Sequence, residues 1–202
     1  GIKALRECGK VKMRGCDVVS PEFGWSVQGI EMEDCTAESE YFMLRSRQMH
    51  FKNVRMKGKY SFQYIENSVF ENCQFDTKDA FWHAKNVVVR DSVIVGEYLG
   101  WNSKNLTFIN CTIESLQGLC YIENLKMVNC KLLNTTLAFE YSTVEAEIDS
   151  RIESVLNPKG GSIACESIGE LVIEPDQVDP AKTCISCKAA APQAKTKVSW
   201  RK

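Results

Sequence analysis

The chain has 202 residues, of which 44% are apolar, and its 25 basic and 26 acidic residues leave a formal net charge of −1. This length suits one domain with a continuous core. The balanced charge excludes a global field that would attract nucleic acid or an acidic membrane. No apolar stretch approaches the roughly 18 residues of a membrane span, and no signal peptide is recognisable. We therefore expect neither a nucleic-acid nor a membrane partner.

A 19-residue period runs through most of the chain. Residues 105–113 return as residues 124–132, with Leu, Asn and Cys at matching positions. A fixed period near 20 is typical of a stacked repeat protein. The residues that open successive repeats are Val11, Ile30, Met49, Ser68, Val87, Leu106, Leu125 and Val144.

Each repeat begins with a short alternation of apolar and polar residues, as in Val11, Lys12 and Met13. This period of two predicts a strand with one buried face. A column of Asn, Asp and Gly follows, and these residues favour bends. A second short strand, a second bend (Ser39 and Gly58 in two of the repeats) and a third, aromatic segment complete the repeat. We predict an all-β fold, a right-handed parallel β-helix of about eight triangular 19-residue rungs, stacked about 4.8 Å apart.

A leucine-rich repeat is the main alternative fold. Leu106-x-Phe108-x-x-Cys111-x-Ile113 fits its core pattern. That fold usually has a longer repeat, of roughly 20–29 residues, with a helical return segment. The return segment here has no helical periodicity, so the β-helix is favoured.

Ten cysteines are present, and five of them share one column of the repeat. In other rungs Val54 and Ser92 occupy that column, so it selects small buried side chains. We therefore predict reduced thiols and a cytoplasmic setting. The five column members are Cys16, Cys35, Cys73, Cys111 and Cys130.

The third segment of each rung is rich in aromatic residues. If strict alternation held, one set would face inward: Phe23, Phe42, Ser61, Ala80, Leu99 and Gly118, with Trp25, Leu44, Trp82, Trp101 and Phe139. The intervening residues Met43, Phe62, Phe81 and Leu119 would then be exposed. The alternative is that this parity is wrong and these residues are core, or that missing rungs or a second chain cover them. An exposed aromatic stripe suits sugar stacking or a protein partner. The predicted ligand-binding residues are Arg45, Tyr60, Phe62, Tyr64, Phe81, Tyr98, Asn102 and Tyr121.

Asp79 and His83 fall in neighbouring columns of one rung and form a candidate acid/base pair. The simpler interpretation is that His83 is a partly buried polar residue in an aromatic row. Cys184-x-x-Cys187, with Cys165 as a third ligand, is half of a zinc site. No second motif completes it, so we predict no metal and no cofactor.

Both ends of the repeat array are irregular. Residues before Val11 fit a partial rung, which predicts missing upstream rungs and self-association through the open edge. After Val144 the period breaks, because the next apolar opening is Leu171, with residues 157–161 as a loop and residues 171–173 as the last strand. We predict a β-helix over residues 1–175, a C-terminal extension over 176–202, and a flexible basic tail from about residue 189.

Three aromatic stretches resemble an uncharacterised bacterial family of single-stranded right-handed β-helices, of pectin-lyase-like type. The resemblance covers most of residues 1–175. It implies the fold and further upstream rungs, and it implies no catalytic residues. The stretches are Gly58-Lys59-Tyr60-Ser61-Phe62-Gln63-Tyr64, Lys78-Asp79-Ala80-Phe81-Trp82-His83-Ala84-Lys85-Asn86 and Gly96-Glu97-Tyr98-Leu99-Gly100-Trp101.

Two classes of function follow from these patterns. The favoured class is a rigid binding or assembly scaffold with an aromatic surface stripe. The alternative is a carbohydrate-active enzyme, a polysaccharide lyase or glycoside hydrolase, or a carbohydrate-binding protein. The Asn-Thr-Asp, Asp-Asp and Gly-His-Gly motifs of polygalacturonases and the Arg-x-Pro-x-x-Arg motif of pectate lyases do not occur. Activity inferred from the fold alone would be analogy.

Overall fold

The computed structural model describes residues 1–189 and 195–196. Parallel strands stack into a β-solenoid of about ten turns, so the predicted all-β repeat fold is confirmed. The expected count of about eight rungs is too low, because coiling continues past the last 19-residue repeat. In the described residues, helical structure is limited to one short 3-10 turn at Pro180–Lys182.

The strands are short, as expected for a chain that bends several times in each rung. In chain order they are β1 (Lys3–Ala4), β2 (Gly9–Arg14), β3 (Asp17–Val19), β4 (Glu22–Phe23), β5 (Gln28–Glu33), β6 (Thr36–Phe42), β7 (Arg47–Lys52), β8 (Arg55–Ser61), β9 (Glu66–Glu71), β10 (Gln74–Thr77), β11 (Lys85–Arg90), β12 (Val93–Val95), β13 (Lys104–Ile109), β14 (Thr112–Leu116), β15 (Glu123–Thr136), β16 (Thr143–Ile148), β17 (Arg151–Leu156), β18 (Gly160–Cys165), β19 (Ser167–Ile173), β20 (Thr183–Cys187) and β21 (Lys195–Thr196).

The first strand of each rung contributes to one parallel sheet, here the first sheet. Its register repeats the sequence period, since Val87 pairs with Ser68 on one side and with Leu106 on the other. Leu106 then pairs with Leu125. Side chains at equal offsets therefore lie one strand spacing apart. The strands of the first sheet are β2, β5, β7, β9, β11, β13, the start of β15, β16, β18 and β20.

The second strand of each rung contributes to the second sheet, in which Ile94 pairs with Phe75 and with Ile113. Each of these side chains is buried, because alternate residues of a strand point to opposite faces. The strands of the second sheet are β1, β3, β4, β6, β8, β10, β12, β14 and the end of β15. A small third sheet contains β17, β19 and β21.

The Asn and Asp columns form the bends between strands, as predicted. Asn86, Asn105 and Asn124 have φ angles of 53°, 54° and 61°, in the left-handed region that Asn tolerates. Their side chains form a ladder. The Nδ2 atom of Asn105 donates to Oδ1 of Asn86 at 2.7 Å, and Asn124 donates to Asn105 at 2.8 Å. These three bends are thus tied to one another by side-chain hydrogen bonds.

The third segment of each rung is a turn, and the prediction of a third strand is wrong for most rungs. In β6 and β8 the second strand continues through the expected bend at Ser39 and Gly58. Beyond it, alternate residues have positive φ, as at Phe62 (60°) and Tyr64 (57°). A left-handed residue is not extended, so the strict alternation of side chains between the two faces of a strand does not hold there. Consecutive residues such as Ser61 and Phe62 therefore both point inward.

The C-terminal rungs keep the stacking but lose the regular period. The offset between Thr143 and its partner Gly160 is shorter than in the regular rungs, and that between Gly161 and its partner Thr183 is longer. The expectation that residues 171–173 are the last strand is wrong, because β20 and β21 follow them. The predicted loop at residues 157–161 is too long, because its last two residues belong to β18, which begins at Gly160. The predicted basic tail lies outside the described residues, apart from residues 189, 195 and 196.

Candidate functional site

Ten rings form the aromatic side of the solenoid, along the third segment of successive rungs. Several stack directly on the ring one rung away. Tyr64 and His83 have centroids 4.7 Å apart and planes 10° apart, and Trp82 and Trp101 are 5.7 Å and 11° apart. The members of the aromatic side are Trp25, Tyr41, Tyr60, Tyr64, Trp82, His83, Tyr98, Trp101, Tyr121 and Tyr141.

Stacking along the solenoid axis covers one face of each ring in the pairs Tyr41–Tyr60, Tyr64–His83 and Trp82–Trp101. Rings that stack on neighbouring rungs present mainly their edges to solvent, whereas sugar binding uses an open ring face. Cations lie over several of the remaining faces. The guanidinium of Arg6 lies 4.7 Å from the ring of Trp25, and Lys78 Nζ lies 5.4 Å from that of Tyr98. Most of the aromatic side is therefore occupied by contacts within the chain.

The predicted exposure of Met43, Phe62, Phe81 and Leu119 is wrong, since all four side chains are 0% exposed. The left-handed residues described above break the strict alternation on which that prediction relied. Phe62 instead lies at the centre of the core. It contacts the rings of Phe42, Phe51, Phe70, Phe75 and Phe81 at centroid distances of 4.9 to 6.0 Å.

The inward set was predicted partly correctly. Phe23, Phe42, Ser61, Ala80, Leu99, Gly118 and Phe139 are buried. Trp25, Leu44, Trp82 and Trp101 are instead partly exposed. Trp82 and Trp101 use their indole N–H groups to bond carbonyls of the neighbouring rung, Tyr98 O at 2.6 Å and Gln117 O at 2.7 Å. These hydrogen bonds therefore link each of the two tryptophans to the next rung.

The other predicted ligand-binding residues do lie on the surface. Tyr64 is 47% exposed and Tyr121 is 38% exposed. Arg45 and Asn102 are exposed, and Tyr60 and Tyr98 are partly buried. Arg45 lies over the Tyr64 ring at 5.8 Å. Tyr121 is tilted by 58° from Trp101 and by 42° from Tyr141, so neither neighbouring ring stacks flat against it.

The candidate acid/base pair is held in one rung without a contact between its side chains. Asp79 is 7% exposed, and its Oδ1 atom is buried without a hydrogen-bond partner among the described residues. Burial raises the pKa of the Asp79 carboxyl, a shift that Lys78 opposes and Glu97 adds to. His83 is stacked on Tyr64, and no hydrogen bond or ion pair joins it to Asp79 within residues 1–189 and 195–196.

Sequence reasoning missed a groove on the outer face of the second sheet. It is open to solvent and has a volume of about 650 Å³. Val19 at its edge is 75% exposed, and Val93 and Val95 are 42% and 38% exposed. This outer groove is lined by the outward side chains of Val19, Thr36, Glu38, Arg55, Lys57, Gln74, Asp76, Val93 and Val95. Apolar residues at outward positions of the second strand were the signal that could have revealed it.

Charges in the outer groove differ from those on the first sheet. Ion pairs link adjacent strands across the outer face of the first sheet, for example Lys12–Glu31 at 3.0 Å and Lys104–Glu123 at 2.7 Å. Four charged side chains of the outer groove have no ion pair or side-chain hydrogen bond to any described residue: Glu38, Arg55, Lys57 and Asp76. They are free to pair with a ligand.

The described residues contain no group of three or more His, Cys, Asp or Glu side chains that could hold a metal ion. Cys165 and Cys187 are in register on adjacent strands, whereas Cys184 pairs with Ser162 and is exposed. The three cysteines of the half zinc motif are therefore not brought to one point. Within residues 1–189 and 195–196 no helix has the length and apolar character of a membrane span.

Fold and surface together define a β-solenoid repeat protein. More specifically, the chain belongs to the family described as Protein of unknown function (DUF3737), whose family model matches residues 1–186. This confirms the expectation of an uncharacterised β-solenoid family. A search of curated proteins found no match.

Proposed function

We propose that the protein is a rigid scaffold that binds a protein partner through the outer groove of the second sheet. The observation that carries this proposal is the contrast between the two outer faces. Ion pairs cross the first sheet at several rungs, as in Lys12–Glu31, whereas the four charges of the outer groove are all unpaired and lie between exposed valines. Isolated apolar residues on a surface are ordinary, but aliphatic residues at both ends of an open groove lined by free charges favour an interface.

The exposed aliphatic residues continue beyond the groove along the same face. Leu116 is half exposed on β14, and Leu133 is similarly exposed on β15. Both belong to the columns of the second sheet, where Glu114 pairs with Val95 and with Leu133. A line of alternating charged and aliphatic residues over several rungs, about 4.8 Å apart, suits an extended protein segment that lies along the solenoid axis.

The chemistry of the groove favours a polypeptide over a sugar. Aliphatic side chains such as Val93 and Val95 offer no ring face on which a pyranose could stack. The free charges are mixed, because Lys57 lies between Glu38 and Asp76 of the neighbouring strands, and Arg55 is on the same strand as Lys57. The partner expected is a segment with aliphatic side chains flanked by both acidic and basic groups.

Site-specific photo-crosslinking tests the proposal. A photoreactive residue at Val95 should capture one partner in the source cells, and the same residue at Val88, outward on the first sheet, should not. With the purified partner, Val95→Lys should weaken affinity at least about tenfold. Lys is suitable because Asp76 and Glu114 flank Val95 and can pair with it. Val88→Lys is the matched control.

Equal capture at Val88 and Val95 would contradict this assignment. So would an affinity that Val95→Lys leaves unchanged while the variant retains its unfolding temperature. Either result would indicate contacts outside the outer groove.

A second candidate function is carbohydrate binding, or turnover, at the aromatic side. The observation that favours it is the tilted and exposed ring of Tyr121, near Asn102 and Glu140. A glycan panel tests this candidate: Tyr121→Ala should abolish binding, and Tyr41→Ala, in a parallel stack, should not. Loss of turnover in Asp79→Asn or His83→Ala would assign the predicted acid/base pair.

Three further features belong to the same proposal. The right-handed winding of the coil and a relationship to pectin-lyase-like β-helices are supported by the parallel stacking of the strands. A cytoplasmic setting is supported by ten free cysteines. Self-association through the first rung is supported by β2, which pairs only with β5 among the described strands, and sedimentation at several concentrations tests it.

A further inference from the structure

Two cysteines of the C-terminal rungs lie side by side. Cys165 is the last residue of β18 and Cys187 the last residue of β20, and the two residues are in register. Their Sγ atoms are 3.6 Å apart. Neighbouring strands are about 4.8 Å apart, which lies within the Cα separation of about 4.4–6.8 Å that a disulfide spans. Side-chain rotation is therefore enough to join the two sulfurs.

The pair is accessible from solvent. Cys165 and Cys187 line an open groove of about 570 Å³, together with Ile148, Ser186 and Lys188. Cys187 is partly exposed and Cys165 is 3% exposed. Lys188 contacts Glu166 and Asp149 across the groove, so its charge is already paired. A small molecule can reach Cys187 first and Cys165 only afterwards.

The other neighbouring cysteines differ from this pair. Cys16 is partly exposed and Cys35 is buried, but their thiols donate to the backbone carbonyls of Arg14 and Glu33 rather than to each other. Cys111 and Cys130 stack in one column of the regular rungs, but both are buried. Cys184 is exposed, but three residues along a strand separate it from Cys187 by roughly 10 Å, beyond the reach of a disulfide. The Cys-x-x-Cys spacing in the sequence is therefore not the reactive pair.

We propose that Cys165 and Cys187 form a reversible redox modification site whose co-reactant is a low-molecular-weight disulfide such as oxidised glutathione. The Cys187 thiolate attacks one sulfur of the small disulfide, whose S–S bond breaks. One glutathione leaves and takes up the proton that Cys187 lost. The product is a mixed disulfide on Cys187.

Cys165 completes the exchange. Its sulfur, after losing its proton, attacks the Cys187 sulfur, and the mixed disulfide breaks. The second glutathione leaves with that proton. Two protein thiols are oxidised, and one small disulfide is reduced to two thiols. Burial raises the pKa of the Cys165 thiol to about 12, which suits a resolving residue rather than the first nucleophile. The new bond ties β20, the last strand of the first sheet, to β18.

Intact-mass spectrometry of the full chain with oxidised glutathione tests the proposal. The wild-type mass should fall by about 2 Da, the two hydrogens lost on disulfide formation, and a non-reduced digest should join the Cys165 and Cys187 peptides. Cys165→Ser should instead retain one glutathione on Cys187. Cys187→Ser should form no crosslink. Cys111→Ser is the matched control and should behave as wild type.

The reaction of the wild-type protein with oxidised glutathione tests the proposal even if a variant misfolds. A stable glutathione adduct on wild-type Cys187, a crosslink from Cys184, or an unchanged mass would each overturn the proposal. A crosslink between Cys165 and Cys187 that dithiothreitol reverses supports it.

Discussion

The regular rungs, which keep the 19-residue period, and the C-terminal rungs, which do not, both stack their strands in register but differ in their turns. In the regular rungs, Asx ladders such as Asn86–Asn105–Asn124 join the bends before and after the first strand, and the register follows the 19-residue period. In the C-terminal rungs the turns have other lengths, yet Ala146 still lies beside Ile163, and Ile163 beside Ile185. All three side chains point toward the core.

This difference shows that the buried face of each strand sets the register. A slip of one residue would move every apolar side chain of a strand to solvent, whatever the turn length. The ladders therefore strengthen a stacking that the core already specifies. The cysteine column illustrates the point. Cys130 lies beside Ile148 at the end of the regular rungs, and Cys165 lies beside Cys187 beyond them.

Substitution of Phe62 should destabilise the regular rungs more than any other change proposed here. Phe62→Ala should lower the free energy of unfolding by roughly 3–5 kcal/mol, because it removes a fully buried ring from the aromatic core. Tyr64→Ala, two residues away on the surface, should cost less than about 1.5 kcal/mol, since it removes one partly exposed stacking contact. Denaturant unfolding of both variants checks the difference. Equal losses would contradict the inward placement of Phe62.

A substitution at Gly161 tests how tightly the C-terminal rungs are packed. It has a φ of 105°, and a Cβ there would lie 2.0 Å from the carbonyl oxygen of Val144. Gly161→Ala should therefore cost roughly 2–3 kcal/mol of unfolding free energy. Gly15→Ala is the control, because Gly15 has a φ of 60° but open space around it, and its cost should be about 1 kcal/mol. A smaller loss at Gly161 would indicate that β18 can shift away from β16.

Two substitutions of Asn105 separate the cost of backbone strain from the cost of losing the hydrogen bonds of the ladder. Asn105→Ala should cost about 2 kcal/mol, because it loses two side-chain bonds and places Ala at a φ of 54°. Asn105→Gly removes the same bonds without the strain and should cost about 1 kcal/mol. Thermal unfolding of the two variants gives the difference. If both variants were as stable as wild type, the ladder would make no contribution beyond core packing.

Asp79 should give the smallest effect, with a defined pH dependence. Its folded-state pKa is raised, so ionisation at neutral pH disfavours the folded state, and this penalty is absent below the unfolded value of about 4. Asp79→Asn should therefore stabilise the protein at pH 7 by about 1 kcal/mol, with a gain that fades as the pH falls toward 4. Unfolding temperatures across this range measure it. A gain independent of pH would indicate a cause other than carboxyl ionisation.

Sequence periodicity predicted the stacked architecture because a solenoid repeats its environment at a fixed offset. The columns of Val87, Leu106 and Leu125 and of Asn86, Asn105 and Asn124 lie as expected. The candidate site was predicted less well. Alternation identifies buried faces only in extended backbone, and the left-handed residues Phe62 and Phe81 interrupt it. The buried and exposed members of the aromatic segments were partly exchanged for that reason.

The sequence by itself determined the repeat, the two strand faces and the bends, because each depends on local residue chemistry and a constant spacing. Tertiary structure alone decided which rings are covered by their neighbours and which charges of the outer groove, such as Lys57, lack a partner. It also selected Cys165 rather than Cys184 as the neighbour of Cys187. These outcomes depend on distances between chain segments that turns of unequal length bring together, and such distances follow from packing rather than spacing.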